Sequence, residues 1–268
     1  MLLRVMSDKG KYQTVYFALI DILGFKNILI NNCKKNPNYL LKIISEVDDA
    51  SSRGPWYGIN KIFLSDSILM WTPHKNAIPY LLENCERLQE KLFLKGHLVR
   101  GVIVKGLHYS GALESLDTKA RKMEVFPDHI LVSPALVKAY TYEQSLSDPV
   151  IKCEGAVLND LPKILKQKSS KNQKYKSNEF YFGRDYCGHF PYLHSLLGAS
   201  DKSWNKELKK EVKHILNLRN MVEREIKNNS GSPKKKWVFV AKRFNACLDL
   251  VAEGLKLKKI DIPRIKLR

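Results

Sequence analysis

Residues 15–20 (VYFALI) form an unbroken apolar run that ends in Asp21 and continues as Ile22-Leu23-Gly24-Phe25. A short apolar run bounded by a turn signal predicts a buried strand. A second apolar segment, residues 61–71 (KIFLSDSILMW), reads as two short strands that meet near Ser65 and Asp66. Two strands that end in acidic residues therefore open the predicted fold.

Helical and extended segments alternate through the rest of the first 152 residues. The patterns predict helices at 26–32, 39–47, 77–94 and 134–144, and further strands at 98–104 and 149–152. This order predicts an α+β sandwich with helices on one face of a mainly antiparallel sheet. No internal repeat interrupts it.

Charge divides the 268 residues into two parts. The net charge is +19, of which residues 1–160 hold +3 and residues 161–268 hold +16. With 44% hydrophobic residues, a wholly disordered chain is excluded. We predict a core domain at 1–160 and a basic, mainly helical extension at 161–268 that packs on it. A polar tract at 166–178 predicts a linker between the two parts.

Two apolar stripes at helical spacing, residues 204–226 and 237–255, predict two amphipathic helices in the extension. The segment NNSGSP at 228–233 predicts the break between them. Their lysines are most simply solvated, so a nucleic-acid partner is not expected. No run approaches the ~18 apolar residues of a membrane helix and no signal peptide opens the chain, so we expect a cytoplasmic protein without a membrane partner.

The five cysteines are odd in number and widely spaced, without a CxxC pair. They indicate neither a disulfide framework nor a zinc site. The densest group of potential ligands, Cys187, His189 and His194, lacks a nearby fourth ligand, and we read it as ordinary surface and core residues.

Asp21 and Asp66 are the residues most suggestive of chemistry, because each carboxylate adjoins an apolar strand. Burial there is costly unless the carboxylate is paired, hydrogen-bonded or bound to a metal. On neighbouring strands the two could hold one or two divalent ions, while Gly24 and a helix beginning near Phe25 would receive an anion. The alternative is structural: Asp21 caps a helix and Asp66 makes a turn with the serines beside it.

Four segments, DILGF, FLSDSI, RGVIVKG and SPALVKAYTYE, occur in the order found in class III nucleotidyl cyclases. Between residues 15 and 151 the chain resembles this family, and most closely its bacterial branch, the Pycsar pyrimidine cyclases. The resemblance implies a ferredoxin-like cyclase core that works as a homodimer. It implies conversion of UTP or CTP to the 3′,5′-cyclic monophosphate and pyrophosphate, as an anti-phage defence signal.

The resemblance also assigns roles to individual residues. Asp21 and Asp66, helped by the Ile22 carbonyl, would bind two divalent cations, Mn²⁺ or Mg²⁺. One cation would activate the ribose 3′-hydroxyl and the other would hold the departing pyrophosphate. Backbone N–H groups of Gly24 and Phe25 would contact the triphosphate. Arg100 would neutralise phosphate charge, or would only brace the sheet.

The sequence departs from the wider family at two places. Val137 and Thr141 occupy the positions of an Asn and an Arg that stabilise the transition state in the family. Either another residue, such as Lys138 or a lysine of the extension, substitutes for them, or the activity is weak or absent.

Ile62 stands where adenine-reading members have a lysine, which argues against ATP. Tyr57 and Lys61 are candidates for contacting the base, although a tyrosine at a position such as 57 is more often a packing residue. Two noncatalytic alternatives are a basic nucleic-acid-binding protein and a nucleotide sensor on a cyclase-like scaffold.

Overall fold

The computed structural model describes residues 12–25, 30, 36, 38–50, 58–64, 66–111, 130–161, 185–186, 205–257 and 260–267. The strands in these ranges are β1 (Gln13–Ile22), β2 (Asn60–Leu64), β3 (Ser67–Thr72), β4 (Val99–Gly111), β5 (Ile130–Val132), β6 (Ile151–Cys153) and β7 (Asp185–Tyr186). The helices are α1 (Asn38–Ala50), α2 (Ile78–Leu94), α3 (Pro134–Gln144), α4 (Gly155–Asn159), α5 (Asn205–Asn228) and α6 (Gly231–Leu257). A 3₁₀ turn (Lys75–Ala77) leads into α2.

The strands form one mixed sheet in the order β2-β3-β1-β4-β6-β7, with β5 paired to β4. β1 lies between β3 and β4 and is antiparallel to both, while β6 is parallel to β4. The first six elements, β1-α1-β2-β3-α2-β4, with β1 at the centre, have the ferredoxin-like βαββαβ arrangement. The predicted fold class, α+β with a mainly antiparallel sheet, is therefore confirmed.

Both faces of β1 are buried. Tyr16, Ala18, Ile20 and Ile22 share a core cluster with residues of the crossover helices α1 and α2. The alternate residues Val15, Phe17 and Leu19 pack in a second cluster with residues of α3. The expectation of helices on one face alone is therefore wrong: it holds for α1 and α2, but α3 covers the other face. A strand that is apolar on both faces needs cover on both.

Buried residues of helices α5 and α6 form the third core cluster. It also includes Phe93 of α2 and Leu98, which precedes β4. The predicted break between them is shorter than expected. Only residues 229–230 are non-helical, because α6 begins at Gly231, whose φ of +57° suits a glycine at the turn. Pro233 falls within the first turn of α6, where a proline costs no hydrogen bond.

The other predicted elements agree with the structure to within a few residues, apart from β4, which continues to Gly111 instead of ending near residue 104. Except for Ile30, the predicted helix at 26–32 lies outside the described residues, as do the tract at 166–178 and the group of Cys187, His189 and His194. No helix in the described part of the chain is long and apolar enough to span a membrane.

Candidate active site

Asp21 lies at the end of β1, between the two neighbouring strands. Its register partners are Ser67 on β3 and Arg100 on β4. Because side chains alternate along a strand, Asp21 continues the row of Phe17 and Leu19 on the face covered by α3. Its side chain is 23% exposed, so the carboxylate is partly removed from water yet remains accessible to a ligand.

Asp66 occupies the turn between β2 and β3. Its carbonyl oxygen accepts a hydrogen bond of 2.9 Å from the backbone N–H of Ile22. This bond fixes the turn against Ile22, the residue that follows Asp21. The two aspartates predicted as a pair therefore lie at the same end of neighbouring strands. Asp66 makes a turn, as the structural alternative expected, and it is also placed beside Asp21.

Charged groups of both signs surround Asp21, which is itself partly buried. Burial, followed by the carboxylates of Glu143 and Asp66, raises the pKa of Asp21 to about 6, against the opposing effects of Arg100 and Lys236. A carboxylate whose ionised form is disfavoured by neighbouring carboxylates is stabilised by a bound cation. The side chains present therefore fit a divalent cation.

The described residues contain no group of three or more His, Cys, Asp or Glu side chains that could hold a metal. Two carboxylates suffice for Mg²⁺, which is usually bound by one or two carboxylates together with waters and the phosphates of a substrate. Ile22 could contribute only its carbonyl oxygen to such a site, because its side chain is buried in the core.

The segment after β1 turns sharply away from the sheet. Leu23 donates its backbone N–H to the carbonyl of Leu98 at 2.9 Å, and Gly24 follows with a φ of +76°. This left-handed conformation favours glycine, and because glycine has no Cβ, no side chain lies at the turn. The Phe25 side chain is buried against Phe63, with ring centroids 6.4 Å apart, so only the backbone of Phe25 is suited to contact a phosphate.

Arg100 is engaged within its own chain. Its Nε donates to the Glu143 carboxylate and its Nη1 donates to the Leu146 carbonyl at 2.8 Å. Its Nη2 lies 4.0 Å from Oδ2 of Asp21. Arg100 therefore braces β4 against α3, as one of the two predicted roles requires, and also places positive charge beside Asp21.

Glu143 is a site residue to which the sequence analysis assigned no role. Its side chain is almost fully buried between α3 and the sheet, where it accepts from Arg100. Ala135, Ala139 and Glu143 are spaced by four residues and are the buried residues of α3. That spacing is the signal that places Glu143 on the face of α3 that packs on the sheet.

The two positions of the missing Asn and Arg lie on the opposite side of α3. Val137 is 68% exposed, and Thr141 is exposed with its hydroxyl bonded to the Val137 carbonyl at 3.0 Å. Lys138, one suggested substitute, donates to Glu154 at 2.5 Å and to the Lys105 carbonyl at 3.1 Å. Lys138 is thus committed to contacts elsewhere on the sheet.

Of the two candidates for contacting the base, Tyr57 lies outside the described residues. Lys61 forms an ion pair with Asp48 of α1. Lys61 is paired with Met70 across β2 and β3, three register positions from Ser67, which lies opposite Asp21. The structure thus places Lys61 away from the aspartates and binds it to α1.

No protein-family model and no curated protein matches the chain. Among solved structures, the chain is similar to the guanylyl cyclase Cya2, with 14% identity over 58% of this chain and 81% of that one at a TM-score of 0.43. It is similar to the adenylyl cyclase CyaB from P. aeruginosa, with 13% identity over 57% and 82% of the two chains at a TM-score of 0.44. A class III adenylyl cyclase-like ATP-binding protein from Pseudomonas aeruginosa shares 10% identity over 61% and 38%, at a TM-score of 0.40. Similarity at this level does not assign a function.

Proposed function

We propose that this chain is a metal-dependent nucleotidyl cyclase that converts a pyrimidine nucleoside triphosphate, UTP or CTP, to its 3′,5′-cyclic monophosphate and pyrophosphate. The observation that carries the proposal is the bond from Ile22 to the Asp66 carbonyl, which brings Asp66 to the strand end that bears Asp21. The resemblance of the four sequence segments to class III cyclases supports the same reaction.

In this reaction the ribose 3′-oxygen forms a bond to the α-phosphorus, the bond from that phosphorus to the bridging oxygen breaks, and pyrophosphate leaves. The 3′-hydroxyl passes its proton to solvent water in the process. Bound divalent cations would lower the pKa of that hydroxyl and offset the charge of the phosphates. Asp21, Asp66 and the Ile22 carbonyl would hold the cations through oxygen.

The other residues of the site would bind and orient the triphosphate. The turn at Gly24 lets the backbone approach the phosphates without a side chain in between. Arg100 would add a permanent positive charge from β4, held in place by Glu143 and the Leu146 carbonyl.

The finer parts of the proposal rest on the resemblance. Ile62, in place of an adenine-reading lysine, favours a pyrimidine over ATP, and the family context favours an anti-phage signal made in the cytoplasm. A homodimer is supported by the apolar residues Val137 and Tyr140, which are 68% and 56% exposed on α3. We retain residues 1–160 as the catalytic core and residues 161–268 as the extension.

The test is incubation of the purified chain with each of the four nucleoside triphosphates and Mn²⁺ or Mg²⁺, followed by mass analysis of the products. We expect a cyclic pyrimidine monophosphate from the wild type and at least a 100-fold loss in Asp21→Asn and Asp66→Asn. Asp261→Asn, on an exposed residue, is the matched control and should retain activity. Binding of triphosphate without any product would instead favour a nucleotide sensor, and full activity in either site variant would refute the metal assignment.

A further inference from the structure

The first turns of α6 contact the end of helix α2 and share a core cluster with residues that adjoin the site in the chain. Trp237 is buried, and its ring centroid lies 6.2 Å from that of Phe93 at the end of α2. The same core cluster includes Leu98 and the partly buried Leu23. Leu98 comes two residues before Arg100, and Leu23 comes two residues after Asp21, so the cluster that holds the first turns of α6 includes near neighbours of both charged residues.

Lys236 directly precedes Trp237 and is partly buried. Its charge interacts with those of Asp21, Glu143 and Arg100, so it belongs to the same electrostatic cluster. Among the ion pairs of the described residues, Arg100 pairs with Glu143 and approaches Asp21 to 4.0 Å, and none within 4 Å involves Lys236. Lys236 is therefore close enough to interact electrostatically with the site, and among the described residues it forms no ion pair with one carboxylate.

A triphosphate needs more positive charge than Arg100 supplies, because the Arg100 guanidinium is already occupied by Glu143 and the Leu146 carbonyl. A lysine ammonium is a compact point charge on a flexible stem and serves proteins as a phosphate ligand. Partial burial beside the site strengthens such an interaction, since it is screened less than on an exposed surface.

We propose that Lys236 binds the triphosphate of the substrate, so that helix α6 supplies a binding residue to a site otherwise built from β1, the turn between β2 and β3, and β4. This inference rests on the proposed function and names one more ligand of the same substrate. It also gives a role to the core cluster that α6 shares with residues 23 and 98, which would keep the Lys236 ammonium near Asp21.

The test measures binding separately from catalysis, with inorganic triphosphate and Mn²⁺ as the probe in isothermal titration calorimetry. We expect Lys236→Met to weaken binding by 10-fold or more and Lys236→Arg to restore most of it. Lys235→Met is the matched control, since it removes the same charge from the adjacent exposed position and should change the Kd less than twofold. Circular dichroism melting identifies any variant that fails to fold; if Lys236→Met does, Lys236→Gln is compared with Lys235→Gln in its place.

The outcomes separate the two proposals. If the wild type forms cyclic product and Lys236→Met binds the probe as tightly as Lys235→Met does, the role of Lys236 is refuted while the cyclase assignment stands. If the wild type forms no product, the cyclase assignment fails, and the same titration still decides whether Lys236 binds triphosphate. Equal weakening in both methionine variants would also refute the inference, because it would reflect net charge alone.

Discussion

Gly101 offers a direct test of how β1 and β4 are packed beside the site. It follows Arg100 on β4 and lies opposite Ile20 of β1. A Cβ at this position would lie 2.5 Å from the Leu19 carbonyl oxygen and 3.1 Å from the Ile20 Cα. Both of these are backbone atoms of the central strand, which is hydrogen-bonded on its other edge to β3. We therefore expect Gly101→Ala to be destabilising.

The magnitude follows from the distance that must be relieved. Cβ contacts below 3.0 Å essentially do not occur, so at least half an ångström of backbone movement is needed. Forcing extra atoms into a packed interior costs about 1–3 kcal/mol, and replacing glycine returns about 0.4–1 kcal/mol by restricting the unfolded chain. Because backbone has little room to move, we expect a net loss of about 2 kcal/mol, or roughly 4–8 °C in Tm.

Urea and thermal unfolding followed by circular dichroism would measure this loss. Gly155→Ala is the control, since a Cβ there meets nothing within 4 Å and the position lies in the first turn of α4. The control should be unchanged or slightly more stable. If Gly101→Ala melts within 1 °C of Gly155→Ala, the spacing of the two central strands is wrong, and the placement of Arg100 beside Asp21 fails with it.

Three further predictions concern other buried polar groups. Tyr16→Phe removes a 2.9 Å hydrogen bond to Asp160 and should cost about 1 kcal/mol in urea unfolding; no change would mean that the bond contributes nothing. Arg100→Lys replaces the planar guanidinium, whose Nε and Nη1 donate to Glu143 and the Leu146 carbonyl, with one nitrogen on a flexible stem; it should cost about 1–3 kcal/mol and lower any cyclase activity, and an unchanged midpoint would contradict the bracing role. Burial lowers the pKa of His108 from 6.5 to about 4, so the unfolded chain binds the proton first and stability falls as pH drops from 6.5 towards 4. Between pH 7 and pH 5 the protonation of His108 should lower the free energy of unfolding by about 2 kcal/mol. His108→Gln lacks this group, so its urea midpoint should fall less over the same pH range than that of the wild type.

The elements that sequence predicts well are those whose signal is local. The run at 15–20 and its terminal aspartate lie within one strand, and the segment at 61–71 contains its own turn, so both strand ends could be inferred. That Asp21 and Asp66 lie at neighbouring strand ends follows from the pairing of β1 with β3, which an α+β fold already favours. The bond from Ile22 to Asp66 adds the detail that pairing alone does not specify.

Sequence predicted α3 but not the face of the sheet that it covers. Its length and its start at Pro134 are local properties, with Ser133 as the N-cap accepting from the Leu136 N–H. The face follows instead from β1, whose consecutive buried residues require cover on both sides. Because the run at 15–20 is apolar at every position, both faces of β1 need cover, and a helix on the second face of the sheet could have been predicted from it. Glu143, spaced four residues from Ala139, would then have pointed at Arg100.

The position of α6 could not be inferred because an amphipathic stripe indicates that a helix packs but not against what. The partners Leu23, Phe93 and Leu98 lie more than 130 residues earlier in the chain, and no local pattern links them to Trp237. The same limit applies to the basic charge of residues 161–268. On an exposed surface each charge is screened within about 8–10 Å. The net charge of +16 therefore does not indicate which lysine of residues 161–268 lies close enough to the site to act on a ligand. Lys235→Met and Lys236→Met change the net charge equally, and therefore any difference between them measures the effect of position beside Asp21 alone.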